Sequence, residues 1–145
     1  MTNLFRWRAE QIALSATAIL VGYALMVCGT WFVQDRLGGV HYGESPPSVL
    51  LLGAVFVPMA AVVGGFFTAA LAWFHPLRHV APMCVLIAAE TVGLRLAGGD
   101  EDPLWFDLAA GGSLIAGALV GALAWKWLRR RRDAQARMAK SDMTG

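Results

Sequence analysis

Charged side chains are scarce in this chain: Asp, Glu, Lys and Arg make up 15% of its 145 residues, while 57% of the residues are hydrophobic. Water-soluble domains usually carry about 25% charged residues, because a folded chain needs a solvated surface. The shortage of charge argues against a soluble single domain, and the abundance of apolar residues argues against a disordered chain. These proportions are typical of an integral membrane protein.

Cysteine is scarce as well, with Cys28 and Cys84 alone in the sequence. Two cysteines cannot build a disulfide-rich secreted scaffold. In the spans predicted below, their depths differ by roughly 15 Å, whereas a disulfide needs α-carbons within about 7 Å. We therefore expect two separate thiols rather than a disulfide.

A strong net charge is also missing, since Lys+Arg 12 against Asp+Glu 10 gives a formal charge of +2. So small a balance does not indicate a nucleic-acid partner unless the basic residues are clustered. One such cluster follows the last apolar stretch, but no aromatic or nucleic-acid-binding motif accompanies it. Basic residues beside a membrane helix attract anionic lipid at about 1 kcal/mol each. We interpret the cluster as a lipid and topology anchor made of Arg129, Arg130, Arg131 and Arg132.

Long apolar stretches are what the sequence has in place of charge. A hydrocarbon core ~30 Å thick needs roughly 20 apolar residues of helix, because a helix satisfies its own backbone polar groups. The sequence predicts an all-α bundle of four transmembrane helices within residues 1–128, followed by a basic, disordered cytoplasmic tail over 129–145. The predicted spans are about 11–34, 48–74, 79–97 and 104–127.

The basic residues predict how these helices are oriented. Lys and Arg near the ends of spans stay preferentially on the cytoplasmic side. Of the 12 Lys and Arg residues, all but Arg36 and Arg95 lie on the side shared by both termini, which predicts cytoplasmic termini. This even number of crossings is the reason for accepting the third span although it contains Glu90 and Arg95. The 6 tryptophans all fall at predicted helix ends, where the indole ring prefers the headgroup level.

Small residues recur at four-residue spacing in the second and fourth helices. Membrane helices associate through close backbone contact at such positions. Both helices are predicted to run in the same direction, so a tight parallel crossing is expected. The sequence leaves open whether this seam lies within one bundle or between two subunits. The helix-packing residues predicted from the pattern are Gly64, Gly65, Ser113, Gly117 and Gly121.

Glu90 is the strongest functional candidate, because it lies near the middle of the third predicted span. A carboxylate there is costly, and ionisable residues within a membrane are functional hypotheses by default. Gly93 and Ala97 share its helix face, so we expect this face to meet another helix rather than lipid. Glu90 is then either a proton carrier or a protonated, hydrogen-bonded packing residue.

Arg95 and Asp107 are predicted to meet across the short loop between the third and fourth helices. A salt bridge there would offset the burial of both charges. Together with Glu90, these residues form the candidate ion or proton site. The plainer interpretation is an ion pair at two helix ends, beside a solvated acidic loop.

The histidines do not indicate a metal centre. His41 is predicted on one side of the membrane, and His75 and His79 on the other. No pair of histidines at mid-membrane depth is available to ligate a haem, so no metal and no cofactor are expected. Because the sequence has no recognisable nucleophile–base pair or phosphate-binding loop, no enzymatic activity is predicted.

Short motifs in the second half carry a resemblance to a known group of proteins. Over roughly residues 58–128 the chain resembles small bacterial four-helix integral membrane proteins of uncharacterised activity. The resemblance implies a bacterial inner-membrane location and brings no activity with it. Its motifs are Gly64-Gly65 before an Ala-rich stretch, Pro76-Leu77-Arg78-His79, Pro103-Leu104-Trp105 and a Gly/Ala-rich last helix.

Two functional classes follow from these observations. The favoured one is a structural or accessory multi-pass membrane protein that packs through its Gly/Ala stripes with itself or with a larger membrane partner. The alternative is a small proton- or cation-coupled transporter or channel with Glu90 as its intramembrane carboxylate. Anionic lipid is the expected partner of the basic tail, and nucleic acid is not expected.

Overall fold

A computed structural model describes residues 2–72, 76–97 and 102–142 of the chain. These residues form four helices, namely α1 (Thr2–Leu37), α2 (Pro47–Leu71), α3 (Pro76–Leu96) and α4 (Leu104–Asp142). All four are long and apolar enough to cross a membrane. For the described residues, the predicted all-α fold with four long apolar helices is confirmed.

Glycine ends the first helix. Gly38 and Gly39 have φ angles of 73° and 89°, in the left-handed region that a residue with a Cβ adopts at a cost. The Gly39 N–H donates to the Gln34 carbonyl at 2.9 Å, and the Gly38 N–H donates to the Asp35 carbonyl at 3.3 Å. This pair of bonds is the Schellman arrangement, which satisfies carbonyls that the helix end leaves free. The chain then turns back through residues 40–46 into α2.

Proline marks the start of the other three helices. Pro47 and Pro76 are the first residues of α2 and α3, and Pro103 directly precedes α4. Proline suits a first helical turn because its missing N–H has no intrahelical acceptor there and its φ is already helical. Pro58 and Pro82 instead lie inside α2 and α3. Each deprives the carbonyl four residues earlier of its usual N–H donor.

The four helices alternate in direction, and α2 lies at the centre of the bundle. It packs along much of its length against α1 on one side and α4 on the other, while α3 contacts all three other helices. In the described part of the chain, no α-carbon of α1 lies within 8 Å of an α-carbon of α4. We call the end with loop 38–46 and residues 102–103 the distal end, and the end with both termini the proximal end.

The seam between α2 and α4 is built on glycine. A Cβ added to Gly117 would lie 2.6 Å from the carbonyl oxygen of Pro58, and one added to Gly121 would lie 2.7 Å from the backbone nitrogen of Phe66. A Cβ on Gly65 would overlap the backbone of Ala118. The two backbones therefore touch directly, within one chain.

The neighbouring stripe of α2 faces α1 instead. A Cβ on Gly64 would lie 2.5 Å from the carbonyl oxygen of Gly22, and one on Gly29 would lie 2.9 Å from the Cβ of Ala60. Thr68, fully buried, donates its hydroxyl to the Gly64 carbonyl at 3.0 Å. Gly64 and Gly65, adjacent in sequence, thus serve two different helix contacts.

The interior of the bundle is made mainly of small side chains, with a few larger ones where three helices meet. Met26 from α1, together with Met83 and Ile87 from α3, is almost fully buried, and Ala61 and Ala118 are completely buried. Large apolar side chains lie mainly outside. Such an exterior is the reverse of a soluble fold and suits a hydrocarbon surrounding.

Two helix boundaries differ from the expected spans. The second span was expected to reach residue 74, whereas α2 ends at Leu71, and residues 73–75 lie outside the described part. The tail was expected to be disordered from residue 129, whereas α4 continues to Asp142 in this structure. After Trp127 the sequence is rich in Arg and Ala, without Gly or Pro until residue 145. These strong helix formers extend a helix that needs no new nucleation.

Candidate functional site

A polar cluster closes the distal end of the bundle. Its ion pair joins Arg95 in the last turn of α3 to Asp107 in the first turn of α4, with 2.8 Å between Nη1 and Oδ2. Asp107 is 11% exposed and Arg95 36% exposed. The ion pair expected from the sequence is therefore present. It ties the α3–α4 hairpin together at the point where α3 ends and α4 begins.

Asp102 links the same cluster to the loop between α1 and α2. It is only 8% exposed, and its Oδ1 accepts the backbone N–H of Tyr42 at 2.7 Å. Its Oδ2 lies 3.4 Å from Nδ1 of His41, and its carbonyl oxygen accepts a hydrogen bond from Arg95. Asp102 belongs to the acidic loop that was expected to be solvated, and the sequence did not predict its burial. Tyr42 and His41, the partners of its carboxylate, lie some 60 positions earlier, so no local sequence pattern indicates this role.

Aromatic packing holds the loop in place. The ring of Tyr42 stands edge-on to Trp105, with centroids 4.8 Å apart, and lies 5.8 Å from Phe106. The His41 N–H also donates to the Ser45 hydroxyl at 3.0 Å. The loop is therefore anchored to the start of α4 by both polar and aromatic contacts. Aromatic pairs of this geometry stabilise by about 0.5–1.5 kcal/mol beyond the area that they bury.

Beneath this loop lies a cavity of about 420 Å³, which we call the distal cavity. Residues from all four helices and loop 38–46 line it. On α2 the lining extends to Val57, about 15 Å along the helix from its first residue. The polar side chains of the lining are Gln34, His41, Thr91, Asp102, Asp107 and Ser113. Among the described lining residues there are two carboxylates and no lysine or arginine.

Ala54, which lines the distal cavity, lies four positions before Pro58 in α2, and Pro58 has no N–H to donate to the Ala54 carbonyl. Ser113, predicted as a packing residue, also lines the cavity and donates its hydroxyl to the Ala110 carbonyl at 2.7 Å. Ser113 thus belongs to the cavity, whereas Gly117 and Gly121 belong to the α2–α4 seam.

Glu90 lies in a different place from Arg95 and Asp107. It is exposed on the side of α3 next to α1, where its Oε2 accepts the phenol hydroxyl of Tyr23 at 2.5 Å. It is not among the residues that line the distal cavity. The candidate ion site predicted as Glu90, Arg95 and Asp107 is therefore two separate constellations. About 100° of rotation per residue puts Glu90 and Arg95 on different faces of α3.

The expectation that the Glu90 face meets another helix holds only in part. Met83 and Ile87 on this face are buried, but Gly93 has no neighbouring atom within 4 Å of an added Cβ. Ala97 is exposed. Within one chain, the distal half of the face is open. Because Arg95 lies five residues after Glu90, its side chain is directed towards α4, whereas Glu90 lies on the outer surface of the bundle.

A further polar contact joins α1 to α3 near the proximal end. Nε2 of His79 lies 2.8 Å from the hydroxyl oxygen of Ser15, which donates to the Gln11 carbonyl at the same distance. His75 lies outside the described residues. In the described part, no three His, Cys, Asp or Glu side chains come close enough to hold a metal ion together.

The basic anchor, Arg129–Arg132, lies on the continuous helix of α4. All four side chains are exposed, and the guanidinium carbon of Arg131 lies 3.7 Å from the ring centroid of Trp127. This cation–π contact joins an arginine to an aromatic residue of the type that favours the membrane interface.

Comparison with models of protein families, with curated proteins and with solved structures finds no match to this chain. The resemblance to small bacterial four-helix membrane proteins stays a prediction from the sequence motifs.

Proposed function

We propose that this chain is a multi-pass accessory protein of a bacterial inner membrane that associates with another membrane component through the exposed α3 face around Glu90. Both termini are cytoplasmic in this proposal, and the basic residues of α4 contact anionic lipid. No catalytic step is assigned to the chain.

The observation that carries the proposal is the exposure of Glu90. It lies about 6 Å from the middle of α3, measured along the helix axis. A carboxyl group at such a depth is costly in contact with lipid, and such groups usually face a bundle interior or a water-filled cavity. Tyr23 satisfies Oε2, and among the described residues no donor reaches Oε1. A partner that covers Glu90 and supplies a second donor removes this cost.

The glycine pattern supports the choice of surface. Gly65, Gly117 and Gly121 are already used between α2 and α4, and Gly64 between α1 and α2. These stripes are therefore not free for a partner. Gly93, one turn beyond Glu90 on the same side of α3, is open. A small residue beside a polar one is the combination that allows a membrane helix to approach closely and donate a hydrogen bond. The partner is inferred to be a helix presenting a hydroxyl, amide or cationic donor.

Cysteine cross-linking tests the association. In a background carrying Cys28→Ser and Cys84→Ser, Gly93→Cys places a thiol on the proposed surface. We expect a thiol-reactive cross-linker to join it to another chain in membranes. Adding Glu90→Leu should weaken that product. Ala118→Cys is the matched control, because Ala118 is fully buried in the α2–α4 seam and should give no product between chains.

The products distinguish the partners. A species of twice the chain mass identifies a second copy, and a species containing another protein identifies a larger complex. If Gly93→Cys gives no product in native membranes while it remains reactive towards small maleimides, the proposed association is wrong.

A small proton- or cation-coupled transporter is the second candidate, favoured by one observation. The distal cavity reaches Thr91, the residue next to Glu90. In liposomes this candidate requires a pH-driven flux that Glu90→Gln abolishes without loss of folded protein. Glu44→Gln, at an exposed loop acid that does not line the cavity, is the control and should leave the flux unchanged.

A further inference from the structure

The distal cavity is separate from the surface around Glu90 that we propose for the association, because Glu90 does not line it. Its volume of about 420 Å³ lies within the ~300–1,000 Å³ that is usual for small-molecule sites. Sites of this kind combine mostly apolar walls with a few convergent polar groups. From its charge and shape, we infer that the distal cavity binds a small organic ammonium ion with an apolar body.

The charge balance favours a cation. The lining contains the carboxylates of Asp102 and Asp107 and, among the described residues, no Lys or Arg. Arg95 approaches from outside the lining and forms its side-chain ion pair with Asp107, and it reaches Asp102 only at the backbone carbonyl. Among the described residues, no lysine or arginine forms an ion pair with the Asp102 carboxylate, whose Oδ2 lies 3.4 Å from Nδ1 of His41. A buried carboxylate is costly, and a bound ammonium group would supply a cationic partner.

The helix ends do not reverse this balance. The helices α2 and α4 begin at the distal end, and α1 and α3 end there. Their partial charges, about +0.5 at each N-terminus and −0.5 at each C-terminus, therefore offset one another. The side chains decide which ions the distal cavity prefers.

The walls favour an apolar body on the ligand. Val40, Leu50, Val57, Leu94 and Phe106 line the cavity, and Phe106 offers an aromatic surface near the carboxylates. An ammonium group gains from both a carboxylate and an aromatic face. A bare metal ion would need several oxygen ligands converging at one point, and in the described part the acidic side chains do not cluster in that way.

Equilibrium dialysis of the full chain in lipid nanodiscs tests the inference, with labelled benzyltrimethylammonium as probe and empty nanodiscs as reference. We expect saturable binding with one site per chain. Unlabelled probe should displace the label, whereas neopentylbenzene, its uncharged isostere, and phenylmethanesulfonate, an anion of similar size, should not. Asp102→Asn should weaken binding at least about tenfold, because it removes the charge that pairs with the ligand. Glu44→Gln, which removes a charge from loop 38–46 at a position outside the cavity lining, should change affinity by less than about twofold.

A second pair of variants keeps the test decisive if Asp102→Asn fails to fold. Ala110→Leu fills the distal cavity and should abolish binding, while Ala116→Leu, at an exposed position of α4 outside the lining, should not. Equal uptake by protein-containing and empty nanodiscs would overturn the inference, as would preference for the neutral or anionic compound. These outcomes are independent of cross-linking at Gly93, so the two proposals fail separately.

Discussion

Tyr23 on α1 and Glu90 on α3 are joined by a hydrogen bond of 2.5 Å, from the phenol hydroxyl to Oε2 of the carboxyl group. The two helices run parallel, and this bond and the Ser15–His79 contact link them at two heights. The pair lies on the outer surface of the bundle, away from the distal cavity. It fixes the carboxyl group in one position on the face that we propose as the association surface.

Tyr23→Phe should lower stability modestly, because it removes the phenol donor and leaves Oε2 of Glu90 unpaired. Hydrogen bonds between membrane helices contribute about 0.6 kcal/mol on average. We expect a loss of that order in detergent unfolding experiments. Glu90→Gln should cost less, because its amide oxygen still accepts from Tyr23. In a double-mutant cycle of Tyr23→Phe with Glu90→Leu, strictly additive effects would show that the bond contributes nothing.

Two glycines of α4 provide a matched test of the seam with α2. Gly121→Ala should destabilise by about 1–3 kcal/mol, because its Cβ would overlap the backbone of α2. Gly112→Ala has open space around it and should be neutral or slightly stabilising, by up to about 1 kcal/mol. Thermal unfolding in one detergent measures both variants. Similar losses would mean that α2 and α4 do not meet at Gly121.

The small-residue spacing was sufficient to predict that α2 and α4 cross closely, since the period of a helix fixes which residues share a face. It could not assign the two adjacent stripes of α2 to different neighbours. Spacing defines a face, and only the assembled bundle decides which helix lies against it. Tyr23 was missed for the same reason, because its partner Glu90 is 67 positions away and nothing within α1 relates Tyr23 to it.

Asp102→Ala should release the loop between α1 and α2 from the start of α4. It removes the acceptor of the Tyr42 N–H, and a hydrogen bond to a charged group contributes about 1.5–3 kcal/mol. We expect faster amide hydrogen exchange at Tyr42 and a change in Trp105 fluorescence, because the two rings are in contact. Asp102→Asn retains an acceptor oxygen and should show a smaller effect. If Glu44→Ala produced the same exchange rates, the effect could not be assigned to Asp102.

Arg95→Met should be more damaging than the double variant Arg95→Met with Asp107→Leu. The single change leaves Asp107, 11% exposed, as an unpaired carboxylate, whereas the double change removes both charges. Breaking a buried pair on one side usually costs more than replacing the pair with apolar residues. Unfolding in detergent measures the stability of the unmodified chain, the single variant and the double variant. A double variant less stable than the single would mean that Asp107 stabilises the distal end even without Arg95, and the expected order would be wrong.

The polar cluster at the distal end could be predicted from the sequence only in part. Arg95 and Asp107 could be paired from sequence, because a short connection between two helices brings their ends together. Asp102 could not be distinguished from other acids of the same loop, because its burial depends on Tyr42 and His41 packing over it. The distal cavity was not predicted either. Small residues such as Ala54 and Ala110 indicate close packing or an empty space equally well, and only the positions of all four helices distinguish the two.

The orientation that the basic residues predict can be tested with single cysteines in a background carrying Cys28→Ser and Cys84→Ser. Glu44→Cys lies in the loop at the distal end, and Ala136→Cys lies on the exposed last part of α4. In intact spheroplasts we expect a membrane-impermeant maleimide to label Glu44→Cys but not Ala136→Cys, because Lys and Arg near span ends stay preferentially on the cytoplasmic side. Labelling after lysis controls for thiol reactivity. Replacing Arg129–Arg132 with Gln should reduce the difference in labelling between the two cysteines. It should not unfold the bundle, since these side chains are exposed. Labelling of Ala136→Cys in intact cells would place the termini outside and reverse the side from which the distal cavity is reached.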